Sequence, residues 1–208
     1  MHNKESMVFI VDDDPSILAS LKRLVRSVDL AVETFASPQE FLQRPVYSGP
    51  GCLVLDVRMP QLSGLDLQDK MAEMDNHTPI VFITGHGTIS MSVKAMKKGA
   101  VDFIEKPFND QDLLDAIQYA IEENRQQIES KQKVVEIQQR EKMLTPREQQ
   151  VFRLVVQGWL NKQIAYELEI SEKTVKIHRS NVMQKMQAES VSELVRMAEK
   201  IGVFSKDS

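Results

Sequence analysis

The sequence has little of several features that define whole classes of protein. Its single cysteine, Cys52, excludes an intramolecular disulfide and a cysteine-rich zinc site. No apolar run approaches the roughly 20 residues of a transmembrane helix, and the apolar stretch near the start runs straight into three acids, unlike a signal peptide. Glycine and proline number only 8 each among 208 residues, which argues against a disordered or collagen-like chain. We therefore expect a packed cytoplasmic protein without membrane contact.

Charge is distributed unevenly along the chain. Residues 1–120 carry 11 Lys and Arg against 17 Asp and Glu, residues 121–142 carry 5 against 5, and residues 143–208 carry 10 against 8. The net charges are therefore −6, 0 and +2. This asymmetry predicts an acidic first domain, a balanced connector and a mildly basic last domain.

The acidic block alternates short apolar runs with helical periods. Runs that are apolar on both faces are typical of strands buried in a parallel sheet, and five strand–helix alternations predict a doubly wound α/β domain with a five-stranded parallel sheet. The strands are expected at Val8–Val11, Val32–Phe35, Cys52–Val57, Ile80–Thr84 and Asp102–Glu105.

Polar side chains follow these predicted strands. Asp12–Asp14 follow the first, Asp56 ends the third, Thr84 ends the fourth and Lys106 follows the fifth. Parallel strand ends meet at one sheet edge, and clustered carboxylates repel one another unless a cation joins them. Oxygen ligands of this kind suit Mg²⁺. Asp14 stands apart, since Asp14-Pro15 is typical of a helix N-cap followed by proline.

Four motifs resemble the receiver domain of two-component response regulators. They are Val-Asp-Asp-Asp at 11–14, Leu-Asp-Val-Arg-Met-Pro at 55–60, Ile-Thr-Gly-His-Gly at 83–87 and Phe-Ile-Glu-Lys-Pro-Phe at 103–108. The resemblance implies a flavodoxin-like fold over residues 1–122 and a cis Lys106-Pro107 bond.

The same resemblance implies a role for each residue at the strand ends. Asp56 is the phosphoacceptor, which Thr84 and Lys106 assist, and Thr84 with Phe103 forms the switch. His86 could face the phosphodonor or solvent. The implied Mg²⁺ ligands are Asp12, Asp13, Asp56 and the backbone carbonyl of Arg58, with Asp12 acting through water.

Residues 110–142 lack glycine and proline and predict one long helix. Its second half is polar nearly all round, which is typical of a solvent-bridging spacer or a weak coiled coil. We expect residues 123–142 to form a helical linker between two domains.

The basic block predicts a helix-turn-helix. Thr145, Pro146 and Glu148 form a capping box with proline at the first helical position, and Asn161 and Ser171 are expected to cap the next two helices. The motifs at 145–148, 161–165 and 171–179 resemble the four-helix LuxR-type DNA-binding domain, here residues 143–208. The resemblance places Lys176, Ile177 and Ser180 at base edges, and Lys162, Lys173, Thr174, Arg179 and Lys185 mainly on phosphates.

Together the two halves resemble the FixJ subclass of response regulators. The resemblance implies that a sensor histidine kinase phosphorylates Asp56, and that the protein dimerises and binds promoter DNA. Two helix-turn-helix units imply a pseudo-palindromic site. Recruitment of RNA polymerase, and activation rather than repression, are expected because the subclass usually activates. The receiver is expected to catalyse only its own phosphotransfer and autodephosphorylation.

Two other functions fit part of the pattern. An aspartyl-phosphate phosphohydrolase also uses an acidic Mg²⁺ site with Thr and Lys, but it normally carries a second acid two residues after the nucleophile, where this chain has Arg58. A regulator that acts through protein contact or RNA would share the receiver, but it would show no salt-dependent binding to duplex DNA.

Overall fold

The structure is a computed structural model that describes residues 5–85 and 88–203. The chain divides into two compact units, Met1–Ile128 and Glu129–Ser208, and each is described by itself. The first unit contains the strands β1 (Met7–Val11), β2 (Ala31–Phe35), β3 (Gly51–Asp56), β4 (Ile80–Thr84) and β5 (Asp102–Glu105).

Helices alternate with these strands. Each of the first four has a side chain as its N-cap, namely Asp14, Ser37, Ser63 and Thr88. Capping by Asp14 confirms the prediction for that residue. The helices are α1 (Pro15–Arg26), α2 (Pro38–Gln43), α3 (Gly64–Glu73), α4 (Ile89–Lys97) and α5 (Asp110–Lys142).

The sheet is parallel throughout, with strand order β2-β1-β3-β4-β5. This is the doubly wound, flavodoxin-like order, and it confirms the predicted fold class. The order reverses between β1 and β3, so their carboxyl ends border the crevice where such folds bind ligands. Every predicted strand lies within one residue of its observed position.

Side chains of β1 and β3 alternate between two hydrophobic cores, as the two-residue period of a strand requires. Phe9, Leu53 and Leu55 face a core shared with α2, α3 and α4. Val8 and Cys52 face the opposite core, which α1 and α5 cover. Both faces of the sheet are therefore covered by helices.

The second unit is helical and has its own core, which includes Ile137 of α5. Phe152 of α6, Val175 of α8 and Leu194 of α9 are buried there, and Trp159 packs against them. The helices of this unit are α6 (Pro146–Val156), α7 (Asn161–Glu167), α8 (Glu172–Met186) and α9 (Val191–Lys200).

Two of the three predicted caps in this unit are confirmed. Thr145 and Glu148 form the reciprocal capping box of α6, and Ser171 caps α8. The prediction for Asn161 is wrong, because Asn161 is the first helical residue of α7 and Leu160 holds the cap position. The side chain of Gln163 reaches back to accept the Leu160 N–H at 2.8 Å, so the helix end does not use the Asn161 side chain.

The segment predicted as a linker is ordered within α5 and contributes to both units. Asn124 is buried and its Oδ1 accepts the Gly51 N–H at 3.0 Å in the first unit. Ile137 is buried in the core of the second. In the described parts of the chain, no helix is long and apolar enough to cross a membrane.

At Gly64, the start of α3 comes very close to the backbone at the carboxyl end of β3. A Cβ on Gly64 would lie 2.3 Å from the backbone oxygen of Asp56 and 3.1 Å from side-chain carbons of Leu55 and Phe82. The Gly64 N–H also donates to the Val57 carbonyl at 3.0 Å. The residue therefore lets the start of α3 pack directly on the end of β3.

We predict that Gly64→Ala lowers the free energy of unfolding by about 1–3 kcal/mol, because the added methyl overpacks backbone that cannot move aside. Denaturant unfolding followed by circular dichroism measures the change. Gly85→Ala is the matched control, since apart from the residue itself and its chain neighbours no described heavy atom lies within 4 Å of the position that the alanine Cβ would take. Equal effects of the two substitutions would contradict the packing argument.

Candidate functional site

The candidate site lies where four strands of the first unit end. Asp12 directly follows β1, Asp56 is the last residue of β3, Thr84 is the last of β4 and Lys106 directly follows β5. The parallel order brings these ends to one edge, as the sequence predicted for the fold. Asp12, Asp56 and Thr84 are all buried.

The Lys106 ammonium joins two of these carboxylates. Its Nζ donates to Oδ2 of Asp12 and to Oδ1 of Asp56, each at 2.9 Å. The structure therefore brings together the first acid, the third-strand acid and the lysine that the sequence singled out. Two buried like charges would repel strongly, and the shared ammonium offsets that repulsion.

Backbone N–H groups hold the second oxygen of each carboxylate. Oδ1 of Asp12 accepts the Asp14 N–H at 2.9 Å, and Oδ2 of Asp56 accepts the Arg58 N–H at 2.7 Å. Each acid thus has one oxygen on the lysine and one on the loop that follows its own strand. This arrangement fixes the orientation of both carboxylates.

The surroundings of the site shift two pKa values. Burial is the largest influence on Asp56 and raises its pKa, although the hydrogen bond from Lys106 acts in the opposite direction. Burial alone would lower the pKa of Lys106, but its hydrogen bonds to Asp12 and Asp56 outweigh burial and raise it. The raised pKa of Lys106 keeps this side chain positively charged beside Asp56.

The donor set at this edge suits a small hard cation. Within residues 5–85 and 88–203, no three His, Cys, Asp or Glu side chains are grouped so as to hold a metal ion. Mg²⁺ does not need three, because it keeps several waters and takes one or two carboxylates. Exposed Asp13 and buried Asp56 offer that pair, and buried Asp12 precedes Asp13 in the chain.

The predicted switch residues lie on neighbouring strands. Thr84 is buried, and its carbonyl accepts the Lys106 N–H at 2.7 Å. Phe103 is half-buried and packs on Phe82, with ring centroids 6.0 Å apart. The Lys106-Pro107 bond is cis, as the resemblance implied. His86 lies outside the described residues.

A second candidate site is the exposed surface of α8 in the second unit. Four of the predicted DNA-binding residues, Lys173, Lys176, Ile177 and Ser180, are exposed. Their spacing of three, four and seven residues puts them on one stripe of the helix. Lys162 of α7 is exposed as well. A helix with an exposed basic stripe has the form of a major-groove reader.

Three other predicted residues of this surface are half-buried, namely Thr174, Arg179 and Lys185. Nη1 of Arg179 donates to Oδ1 of Asn161 at 2.8 Å. Lys185 Nζ donates to Oε2 of Glu148 at 2.6 Å and to the Met143 carbonyl at 3.3 Å. Both basic side chains are therefore used inside the unit.

The sequence did not predict the hydrogen-bond partners of the Arg179 and Lys185 side chains. Glu148 was identified only as the third residue of a capping box, yet it is 3% exposed and also accepts from Lys185. The Lys185 hydrogen bond is the main reason that the pKa of Glu148 falls from 4.5 to about 2. No local pattern links residues 37 positions apart, so the sequence alone carries no signal for this pair.

Comparison with known families covers both units. Residues 8–118 match the response regulator receiver domain, and residues 142–198 match the bacterial regulatory proteins of the LuxR family. The first match agrees with the acidic site at the strand ends, and the second with the basic stripe on α8.

Several relatives match this chain over nearly its whole length and nearly all of their own. The chain is 50% identical over 201 residues to the response regulator protein TmoT of Ectopseudomonas mendocina, covering 97% of this chain and 91% of TmoT. It is 41% identical over 198 residues to the transcriptional regulatory protein FixJ of Bradyrhizobium diazoefficiens, covering 95% and 97%. Among solved structures, the response regulator StyR shares 46% identity with a TM-score of 0.86, covering 95% of this chain and 100% of StyR.

The Glu148–Lys185 pair predicts a pH-dependent stability of the second unit. Because the folded pKa of Glu148 is depressed, the pair stabilises the unit above pH 4.5, and this stabilisation is lost as pH falls towards about 2. Glu148→Gln should lower the free energy of unfolding by about 1–3 kcal/mol at neutral pH and by much less near pH 2.

Fluorescence of Trp159, the single tryptophan of the chain, reports unfolding of this unit. Glu199→Gln removes an exposed carboxylate from α9 and is the matched control, with little effect at either pH. If Glu148→Gln lowers the free energy of unfolding by the same amount at neutral pH and near pH 2, the Glu148–Lys185 pair is not the source of the pH dependence.

Proposed function

The chain belongs to the two-component response regulators of the FixJ subclass, which join a receiver to a LuxR-type DNA-binding domain, and we propose that phosphorylation of Asp56 controls its binding to promoter DNA. One observation carries the proposal: the Lys106 ammonium bonds to both Asp12 and Asp56. This arrangement keeps a buried aspartate at a strand end beside a fixed positive charge, which is what a phosphoryl acceptor needs.

The phosphodonor is a phosphohistidine of a sensor kinase. Oδ of Asp56 attacks phosphorus, the new O–P bond gives an acyl phosphate, and the N–P bond to the kinase breaks. Lys106 faces the incoming group and offsets its negative charge. Arg58 N–H, now on one Asp56 oxygen at 2.7 Å, keeps that carboxylate aimed during the attack.

Mg²⁺ is the cofactor that the donor set favours. Asp13, Asp56 and the backbone carbonyl of Arg58 would hold it, with Asp12 acting through water. When bound, the ion neutralises charge on the phosphoryl oxygens. The receiver catalyses only its own phosphotransfer and autodephosphorylation. Arg58 occupies the position where phosphohydrolases of similar chemistry carry a second acid, which disfavours turnover of an external phosphoester.

The signal leaves the site through Thr84 and Phe103. A phosphoryl group adds about −1.5 to −2 charge and three acceptor oxygens, so it attracts the Thr84 hydroxyl. Movement of Thr84 opens space on its side of the sheet, and Phe103 rotates inward from its half-buried position. The α4–β5 surface then has different contacts in the two states, which is the condition for coupling.

The output is transcription control by a phosphorylation-dependent homodimer. Lys176, Ile177 and Ser180 meet base edges, while Lys162, Lys173 and Thr174 contact phosphates. Paired α8 helices imply a pseudo-palindromic promoter site, and recruitment of RNA polymerase gives activation. In domain terms, residues 1–122 receive the phosphoryl group, 123–142 form the connecting helix and 143–208 bind DNA.

Treatment with Mg²⁺ and a small-molecule phosphodonor should raise the affinity of the wild-type chain for a promoter duplex at least about tenfold, a difference of about 1.4 kcal/mol. Asp56→Asn removes the nucleophile and should abolish the increase while the basal affinity stays unchanged. Fluorescence anisotropy measures the DNA affinity of each chain with and without the phosphodonor. An equal increase in Asp56→Asn would overturn the proposal.

Thr84→Ala separates the phosphoryl chemistry from the switch. The variant retains Asp12, Asp56 and Lys106, so it should still accept phosphate, but it lacks the hydroxyl that the phosphoryl group attracts. Phosphodonor should then fail to raise its DNA affinity. Thr84→Ser keeps the hydroxyl and is the control. A phosphorylated Thr84→Ala protein that dimerises and binds DNA like the wild type would exclude Thr84 from the switch.

A further inference from the structure

We propose that Arg179 is a positioning residue for DNA recognition, which fixes α8 against α7 through Asn161, and that it does not act as a phosphate ligand. The inference rests on the proposed DNA binding by α8 and deepens it by assigning a residue that positions the helix for its contacts with base edges. Its central observation is the hydrogen bond of 2.8 Å between Nη1 of Arg179 and Oδ1 of Asn161.

The direction of Arg179 on α8 differs from that of the exposed stripe. Successive residues of an α-helix are separated by about 100°. On that basis Arg179 lies about 110° round the helix from the centre of the stripe formed by Lys173, Lys176, Ile177 and Ser180. It is half-buried while all four stripe residues are exposed. Because its guanidinium is hydrogen-bonded to Asn161 of α7, the side chain is directed towards α7 and away from the centre of the stripe.

Asn161 is suited to receive this hydrogen bond. Its side chain does not cap α7, because Gln163 accepts the N–H of the cap residue Leu160. Its Oδ1 therefore accepts from Arg179 across the turn of the helix-turn-helix. A hydrogen bond with a charged donor is stronger than one between neutral groups, and the partly buried setting limits competition from water.

This contact determines readout because base recognition is more sensitive to geometry than phosphate binding. Hydrogen bonds to base edges require α8 to lie in the groove at one depth and angle. Contacts to phosphates depend mainly on charge and are similar for every sequence. A change in the angle between α7 and α8 should therefore reduce specific binding and leave non-specific binding nearly unchanged.

The test compares Arg179→Ala, Asn161→Ala and the double variant in the full-length, phosphodonor-treated chain. Two probes are used: a duplex selected from a random library by the wild type, and a scrambled duplex of the same composition. Each single variant should bind the selected duplex about tenfold more weakly and the scrambled duplex as well as the wild type does. The double variant should lose no more than either single one, since both remove the same contact.

Lys162→Ala calibrates the loss of a true phosphate contact. It should weaken binding to both duplexes and reduce the slope of log affinity against log salt by about one. Arg179→Ala should leave the slope on the scrambled duplex unchanged. If it instead matches Lys162→Ala while Asn161→Ala matches the wild type, the proposal is overturned.

Arg179→Lys provides a second test in a variant that keeps the charge. A phosphate ligand would largely survive this change, whereas the shorter lysine loses the planar guanidinium that reaches Asn161. We expect Arg179→Lys to resemble Arg179→Ala on the selected duplex, and wild-type behaviour would overturn the proposal. Trp159 fluorescence verifies folding of each variant. Failure of the wild type to enrich any duplex from the library would instead refute the DNA-binding function itself.

Discussion

The receiver unit depends on one electrostatic constraint, which is that two buried carboxylates share a single ammonium. Asp12 and Asp56 come from adjacent strands, and without Lys106 their negative charges would repel each other in a poorly solvated place. The surrounding backbone supports this shared hydrogen bonding. Backbone N–H groups orient the acids, and Gly64 lets α3 close beneath Asp56. This arrangement underlies our proposal that the site accepts a phosphoryl group, whose charge would change the balance and start the switch.

The sequence predicted this part of the molecule well, because each strand carries a local signal and the parallel topology places the strand ends together. All five strands, the capping role of Asp14, and the edge that gathers Asp12, Asp56, Thr84 and Lys106 followed from short patterns. The sharing of Lys106 between the two acids was not predictable from these patterns, since it depends on three strand ends meeting within hydrogen-bond distance.

In the DNA-binding unit, short patterns did not predict the contacts between helices. Arg179, Lys185 and Asn161 have the residue types expected of phosphate contacts and a helix cap, yet the structure joins them to partners on other helices. These partnerships depend on how α6, α7 and α8 pack together, and no sequence period encodes that packing. Two basic residues of α8 thus make contacts between helices that residue type alone does not reveal.

The most direct test of the account is the intact mass of the wild-type and Asp56→Asn chains after incubation with Mg²⁺ and phosphorylated sensor kinase. The account predicts one added phosphoryl group on the wild type and none on Asp56→Asn. Addition to both chains would contradict it, because another residue would then be the acceptor and the Lys106-centred site would have no part in the phosphotransfer.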